Sequence, residues 1–375
     1  MNQPSAIVVG AGIVGLATAR ALSLKGYRVT VIERSERAVG ASVRNFGMVW
    51  PIGQPDGHLY NRAVRSRECW KEMADSIGLW YEEAGSLHLA YHADEWEVIQ
   101  ELYSAFSKTG RPVSLLSTDA ITRKFQGVNA ENLLGGLYSN TELIVDPREA
   151  IARIPDYLGE YLDVSFLWGK TVTAVETGAV YMGKEKKQAD LICICSGPDF
   201  ETLYPKELAE LPLTKCKLQM MRFQTENPDW RMGTSVCGGL SLIHYQSFKV
   251  AEGLTKLKER YEAEMSEYLK WGIHVMVSQN DKGELTVGDS HEYGSNPEPF
   301  DNTFINLLVI DYLKSFMLCE DWKLIQSWNG VYSKMTNGAT DVILQPDPGV
   351  FILNGLGGAG MTLSFGLAEE FVAGL

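Results

Sequence analysis

The hexapeptide Gly10-Ala11-Gly12-Ile13-Val14-Gly15 lies between an apolar run, Ala6-Ile7-Val8-Val9, and a stretch whose apolar residues recur at helical spacing over 13–24. A second apolar run, 27–33, follows once Lys25-Gly26 has ended the helix. Two buried strands joined by a helix are a βαβ unit, and parallel strands need such a crossover, so the chain opens as an α/β domain. The glycines have separable jobs: Gly10 permits a tight turn, Gly12 lets backbone approach a pyrophosphate, and Gly15 lets helix and sheet pack closely. The helix N-terminus supplies N–H donors and the positive end of a dipole. Glu33, 18 residues past Gly15, is placed to accept hydrogen bonds from ribose hydroxyls. The plain alternative is a glycine-rich turn with a solvated glutamate, and the position of Glu33 at the end of the second run argues against it.

The net charge of −13 disfavours a nucleic-acid partner, because phosphate neutralisation needs a basic face. At 375 residues with 45% hydrophobic content, two domains of ordinary globular character are expected. Six scattered cysteines do not make a disulfide framework. The close pair Cys193 and Cys195 is expected to point to opposite sides of a strand, and all six to be small buried hydrophobes in a reducing cytoplasm. The N-terminal apolar run is cut by glycines and Arg20, so neither a secretory signal nor a membrane span is expected there, and a cytoplasmic location follows.

Further along, 62–78 and 94–108 read as amphipathic helices, and Asp146-Pro147-Arg148-Glu149 as a helix start with proline in its first turn. Strand signals return at 171–176, 179–182 and 188–195, the last broken by Ser196-Gly197-Pro198. Over 215–293 antiparallel strands are expected, with a hairpin of 273–278 and 284–289 about the turn Asn280-Asp281-Lys282-Gly283, and a charged helix over 254–270. A last buried strand at 350–353 leads into Gly355-Leu356-Gly357-Gly358-Ala359-Gly360 and a closing helix. The α/β segments therefore bracket strand-rich ones, as when one domain is inserted into another.

The N-terminal motif binds an ADP moiety and by itself leaves flavin or nicotinamide open. The stretch 34–48 gathers small residues and phosphate donors, which suits a loop running along an extended FAD, with Gly47-Met48 beside the isoalloxazine. With the glycine motif, Glu33-Arg34, Gly40-Ala41-Ser42, Val145-Asp146-Pro147, Val172, Cys195-Ser196-Gly197 and the run from Asn354 to Thr362, nearly the whole chain resembles the FAD-dependent amine and amino-acid oxidoreductases that include glycine oxidase, sarcosine oxidase and D-amino-acid oxidases and dehydrogenases.

That resemblance implies a Rossmann-like FAD-binding domain of the GR2 type over 1–80, 145–210 and 325–375, and a mainly antiparallel β-sheet substrate domain with helices over 81–144 and 211–324. It implies FAD contacts from Gly10, Gly12, Ile13, Val14, Gly15, Glu33 and Arg34. It extends them to Ala41, Ser42, Arg44, Asn45, Phe46, Gly47 and Met48, and to Val172, Ser196 and Gly197. The closing loop, Gly355, Leu356, Gly357, Gly358, Ala359, Gly360, Met361 and Thr362, would face the pyrimidine end of the flavin, where a helix dipole favours developing negative charge.

The run from Ser42 to Gly53 looks like the branch associated with bacterial phosphonate metabolism, which implies a small amine bearing a phosphonate. Relatives acting on amino acids often carry an arginine in a tryptophan-x-glycine-x-arginine segment, a bidentate clamp for carboxylate. Here the segment is Trp328-Asn329-Gly330-Val331-Tyr332-Ser333-Lys334, with no arginine and no cysteine to attach FAD, so non-covalent FAD is expected.

Arg44, Arg148, His244, Tyr245, Tyr332 and Lys334 remain for an anionic headgroup, though Arg148 reads more simply as a helix-surface residue, Arg44 as a partner of the FAD phosphates, and His244 and Tyr245 as ordinary sheet residues. Tyr332, Met48, His244 and Tyr245 are the residues expected at the chemistry. The other histidines, His58, His88, His92, His274 and His291, look isolated in sequence, and no metal is expected. The electron acceptor is oxygen or another carrier. A D-amino-acid, glycine or sarcosine oxidase or dehydrogenase is the nearer alternative, and a nicotinamide-linked dehydrogenase the more distant one.

Overall fold

The computed structural model describes residues 3–375. Its first sheet has six strands in the spatial order Val342–Asp347, Val350–Asn354, Leu191–Ile194, Ser5–Val9, Arg28–Ile32 and Ser165–Leu167. All neighbours are parallel except the edge strand Val342–Asp347. Ser5–Val9 sits in the middle, with Val8 level with Val31 on one side and Cys193 on the other. Such strands are buried on both faces, which explains their unbroken apolar character.

One face is covered by the helices Ile13–Leu24, His58–Ile77, Pro147–Leu162 and Gly360–Ala373. A three-stranded sheet covers the other through Val180 and Met182 packed on Ile7, Ile192 and Ile194. Cys193 and Cys195 both enter the helix-side core. The expectation that they diverge is corrected: residues two apart on a strand share a face. Both thiols are pushed up by burial, Cys195 to about 12.

The helix Pro147–Leu162 starts as its sequence dictates. Asp146 accepts from the N–H groups of Arg148 at 2.9 Å and Glu149 at 3.4 Å, and Pro147, which has no N–H to satisfy, takes the first position. The expected strand at 188–195 is shorter, Leu191–Ile194, and Glu185–Gln188 belongs to the covering sheet. Val172 lies just ahead of the strand Ala174–Glu176 rather than inside one, and the helix at 254–270 is two, Leu254–Glu264 and Ser266–Lys270.

The second large sheet has nine strands, drawn from 86–139 and 213–335. Its pairs are antiparallel except Ser86–Ala90 with Ser235–Cys237. The expected hairpin is present as Met276–Gln279 against Leu285–Gly288, closed by the Gly283 N–H donating to Asn280 O at 3.1 Å. The long strand Lys323–Met335 pairs along Leu213–Gln224, so the boundary expected at 325 falls inside an element of this sheet. Helix Ala93–Lys108 packs on one face and Thr303–Phe316 on the other.

A small three-stranded sheet, with Met48–Val49 and Tyr81–Glu82 flanking Leu143–Val145, joins the two bodies. Arg62, 7% exposed, pins helix His58–Ile77 to the C-terminal segment through Asp341 and Glu370, both at 2.6 Å. Replacing Arg62 with alanine leaves two carboxylates facing each other without their cation, and thermal unfolding should show a loss of about 2–3 kcal/mol, the carboxylates being partly solvated. Among the described residues no helix is long and apolar enough to cross a membrane.

Candidate active site

Two adjoining hollows open at the carboxyl ends of the parallel strands, one of about 570 Å³ and one of about 400 Å³. Open parallel sheets bind ligands at this edge. Gly10, Glu33, Arg34, Val172 and Ser196 line the smaller. Glu33 is fixed in place: Oε2 accepts from the Ala11 N–H at 2.9 Å and Oε1 from the Ser35 N–H at 3.0 Å, with lone pairs to spare for hydroxyl donors. Arg34 reaches Asp199 at 2.8 Å beside the same hollow.

Gly12, Ala41, Ser42, Arg44 and Gly197 belong to the walls of both hollows. Here helix Ile13–Leu24 begins at Gly12, which has no side chain to cap it, and its first turn carries no acidic residue. Ser42 Oγ accepts the Ile13 N–H at 2.9 Å, and the remaining first-turn donors and the dipole are left for an anion.

Gly15 and Gly47 line neither hollow. A Cβ at Gly15 would lie 1.9 Å from Gly10 O, and one at Gly47, whose φ is +76°, would lie 1.9 Å from Val145 O. Their work is close packing behind the site.

Ile13, Val14, Asn45, Phe46 and Met48 line one side of the larger hollow, and the whole run from Gly355 to Thr362 lines the other. Asn45 shapes its own loop, donating to Ser42 O at 2.9 Å and accepting the Gly47 N–H at 2.8 Å. Helix Gly360–Ala373 starts at the wall with no capping side chain and no acid in its first turn. Thr362 Oγ1 accepts the buried Trp50 N–H at 2.9 Å, tying the two sides together. Together these form a long trough with a dinucleotide-binding turn at one end and an uncapped helix at the other, and this shape fits FAD.

Residues 5–373 match the DAO family of FAD dependent oxidoreductases. The chain belongs to this family. It is an FAD-dependent oxidoreductase, and the nicotinamide alternative falls. Glycine oxidase from Geobacillus kaustophilus has a similar fold, with a TM-score of 0.78 at 18% identity, covering 99% of this chain and 94% of that one. D-amino acid dehydrogenase 2 of Mesorhizobium japonicum is 25% identical over 271 residues, 56% of this chain and 65% of that protein. A tRNA 5-methylaminomethyl-2-thiouridine biosynthesis bifunctional protein of Burkholderia ambifaria is 34% identical over 122 residues, 31% of this chain and 19% of that protein. The matched stretches thus cover less than two thirds of either curated relative.

Beyond Met48 the larger hollow turns polar. Tyr332, His244 and Tyr245 line it, as do His274, Asp289, His291, Tyr293 and Lys334. His244 and Tyr245 are not sheet residues: they follow the short 3₁₀ segment Gly239–Ile243, and the Tyr245 hydroxyl meets Met276 Sδ at 2.8 Å. Nor are the histidines isolated. His244, His274 and His291 present ring nitrogens within 4.8 Å of one another, with ring centroids 3.6 Å apart for His244 and His274 and 5.0 Å for His274 and His291. The chain folds back here from widely separated positions, which spacing along the sequence does not reveal.

Burial holds His274 and His291 below the ordinary histidine range, His291 at about 4, and the Lys334 ammonium pushes the same way, while His244 is exposed. Burial raises the carboxyl of Asp289 well above its usual range. The Tyr332 hydroxyl is likewise raised by burial, and it faces Gly358, 3.6 Å from where a Cβ there would stand. Arg148 lies outside the hollow, its guanidinium 4.8 Å from the centre of the Trp328 ring. Cys195 contributes to the wall, but its thiol turns inward to Thr18 Oγ1 at 3.9 Å. The remaining cysteines do not reach the trough.

Proposed function

We propose that this chain oxidises a small zwitterionic amine, its substrate an aminophosphonate or N-methylated aminophosphonate. One observation carries the reading: the trough that fits FAD continues past Met48 into a polar chamber with Lys334, three imidazoles and tyrosines, while the arginine position of amino-acid-oxidising relatives holds Tyr332. Bound FAD supplies a hydride acceptor at N5 for the α-carbon of the amine, and the resulting imine hydrolyses to a carbonyl compound and a released amine.

The chain's own residues bind and orient. Met48 and the glycine loop set the floor, Tyr332 and Tyr245 flank the amine, and the buried walls exclude water. The N-terminus of helix Gly360–Ala373 stabilises negative charge on the cofactor side. Glu33, Arg34, Arg44 and the turn Gly10–Gly15 hold the ADP half. We assign 1–80, 145–210 and 325–375 to FAD and the rest to substrate, with the strand Lys323–Met335 running through the boundary and serving both. FAD is bound without a covalent link, the thiols belong to a reducing cytoplasm, and oxygen or another carrier reoxidises the flavin.

An anaerobic screen of aminophosphonates, amino acids, N-methylated amines and uncharged amines tests this by flavin bleaching. Zwitterions with an anionic group near the amine should bleach, and bleaching by uncharged amines alone would refute it. Acid precipitation should leave the protein colourless and FAD in the supernatant. Tyr332→Phe should lower kcat/KM at least tenfold with FAD content intact, and unchanged kinetics for every amine turned over would remove Tyr332 from the site.

A further inference from the structure

We propose that Lys334 and the imidazoles of His244, His274 and His291 form a seat for a tetrahedral dianionic oxyanion, a phosphonate or phosphate group carried by the substrate. The inference rests on the reading of the chain as an amine oxidoreductase and adds the residues and the charge of the group they take.

Lys334 is the first observation. Its stem packs beside Gly357, and its Nζ donates to the Tyr293 hydroxyl at 2.9 Å. Among the described residues no carboxylate lies within 4.0 Å of it. In a chain carrying 47 acidic residues, an ammonium in the wall of a deep chamber with no anion of its own is unusual.

The imidazoles are the second. Neither ring nitrogen of His274 has a hydrogen-bond partner, although the residue is 4% exposed. His244 keeps its open surface toward the chamber. His291 Nδ1 lies 3.0 Å from Gly272 O, and since a carbonyl only accepts, that nitrogen carries the proton. Its Nε2 turns toward Asp289 Oδ2 at 3.8 Å, while Asp289 Oδ1 lies 3.3 Å from His274 Nε2. The His274 ring and Asp289 Oδ1 have no hydrogen-bond partner within the chain, and buried polar groups are rarely left that way.

The shape of the donor set selects the guest. A carboxylate is planar and monoanionic and is held by a guanidinium fork. Here the donors are point-like and surround a volume, which matches three oxygens on a tetrahedral centre and a charge of two. Burial disfavours the charged form of His274 and His291. A dianion favours their charged form, so binding takes up protons. The titratable groups facing the rings are Asp289 from the hairpin, Tyr293 and Lys334 from the neighbouring strands, Tyr332 beside Lys334 and Tyr245 next to His244.

The test uses FAD-loaded protein with methylphosphonate and acetate as probes, by calorimetry in two buffers of different ionisation enthalpy. Methylphosphonate should bind at least tenfold tighter than acetate, with net proton uptake. Lys334→Met should weaken it at least tenfold, Lys334→Arg should restore most of the affinity, and His274→Gln should reduce the proton uptake. Comparing 2-aminoethylphosphonate with O-phosphoethanolamine then separates a phosphonate from a phosphate ester as the carrier.

If methylphosphonate binds and depends on Lys334 while no amine bleaches the flavin, the seat stands and the oxidase reading falls. If amines bleach the flavin but methylphosphonate binds no tighter than acetate, the seat is overturned alone. Should Lys334→Met lose FAD, the two-probe comparison on the unaltered protein decides. Stoichiometric zinc or iron in the purified protein, lost in His274→Gln, would overturn the seat and assign the rings to a metal.

Discussion

Gly15→Ala should yield a protein that purifies colourless. The added Cβ would lie 1.9 Å from Gly10 O and 3.0 Å from Gly10 C, backbone atoms that cannot rotate away. Helix Ile13–Leu24 must then shift from the end of strand Ser5–Val9, taking with it the first-turn N–H groups that face the shared wall of the two hollows. Overpacking of this kind costs about 1–3 kcal/mol, and 1.4 kcal/mol is already tenfold in an equilibrium. FAD retained after gel filtration should fall at least tenfold per mole of protein, while far-ultraviolet circular dichroism keeps the signature of a folded chain. A variant as yellow as the parent would show that the turn does not grip the cofactor through its backbone.

The second large effect is an acid sensitivity traced to His88. This residue sits at 0% exposure on strand Ser86–Ala90 with neither ring nitrogen partnered, its ring 5.1 Å from that of Phe248 and 6.1 Å from that of Trp50. Burial lowers its pKa to about 3. The unfolded chain, with an ordinary histidine pKa of about 6.5, therefore binds a proton that the folded chain refuses between those two values. Stability is fully present above about pH 6.5 and drains away as the pH falls toward 3. At pH 4.5 the penalty from this one ring is roughly 2.5 kcal/mol.

His88→Leu removes the titration while filling a similar volume. Urea unfolding of the FAD-loaded protein at pH 7.5 and pH 4.5 should show a pH-induced loss smaller in the variant by about that amount. Equal losses in the two proteins would mean that His88 finds a partner or water that burial hides.

The sequence carried the cofactor end of this molecule well, for a physical reason. Turn, crossover and helix start are local devices, and Gly10–Gly15 with Glu33, Asp146-Pro147 and the closing glycine run each need only their neighbours to be recognised. The substrate end was hidden because its members are not neighbours. His244 reaches the chamber from a 3₁₀ segment, whereas His274 and Asp289 face each other across the hairpin.

Part of that was within reach: closing the hairpin at Asn280–Gly283 and counting back sets His274 beside 289–291, and the backbone bonds between His274 and Asp289, at 3.2 and 3.3 Å, continue the ladder. The approach of His244 and Lys334 to that pair depends on how the nine-stranded sheet curls, and no local pattern records it. Cys193 and Cys195 are a different case, since the strand periodicity that identified the run also puts both thiols on one side of it.

The two uncapped helix starts, at Gly12 and at Ala359, bear on how the molecule tolerates its surroundings. Peptide dipoles do not titrate, and no single side-chain replacement removes them. Retention of the flavin should therefore stay level across conditions that switch the imidazoles of the chamber on and off. Wherever the fold itself is intact, a change in the charge of the chamber alters which guests are admitted and leaves the backbone grip on the flavin unchanged, so selectivity and the redox centre are governed separately.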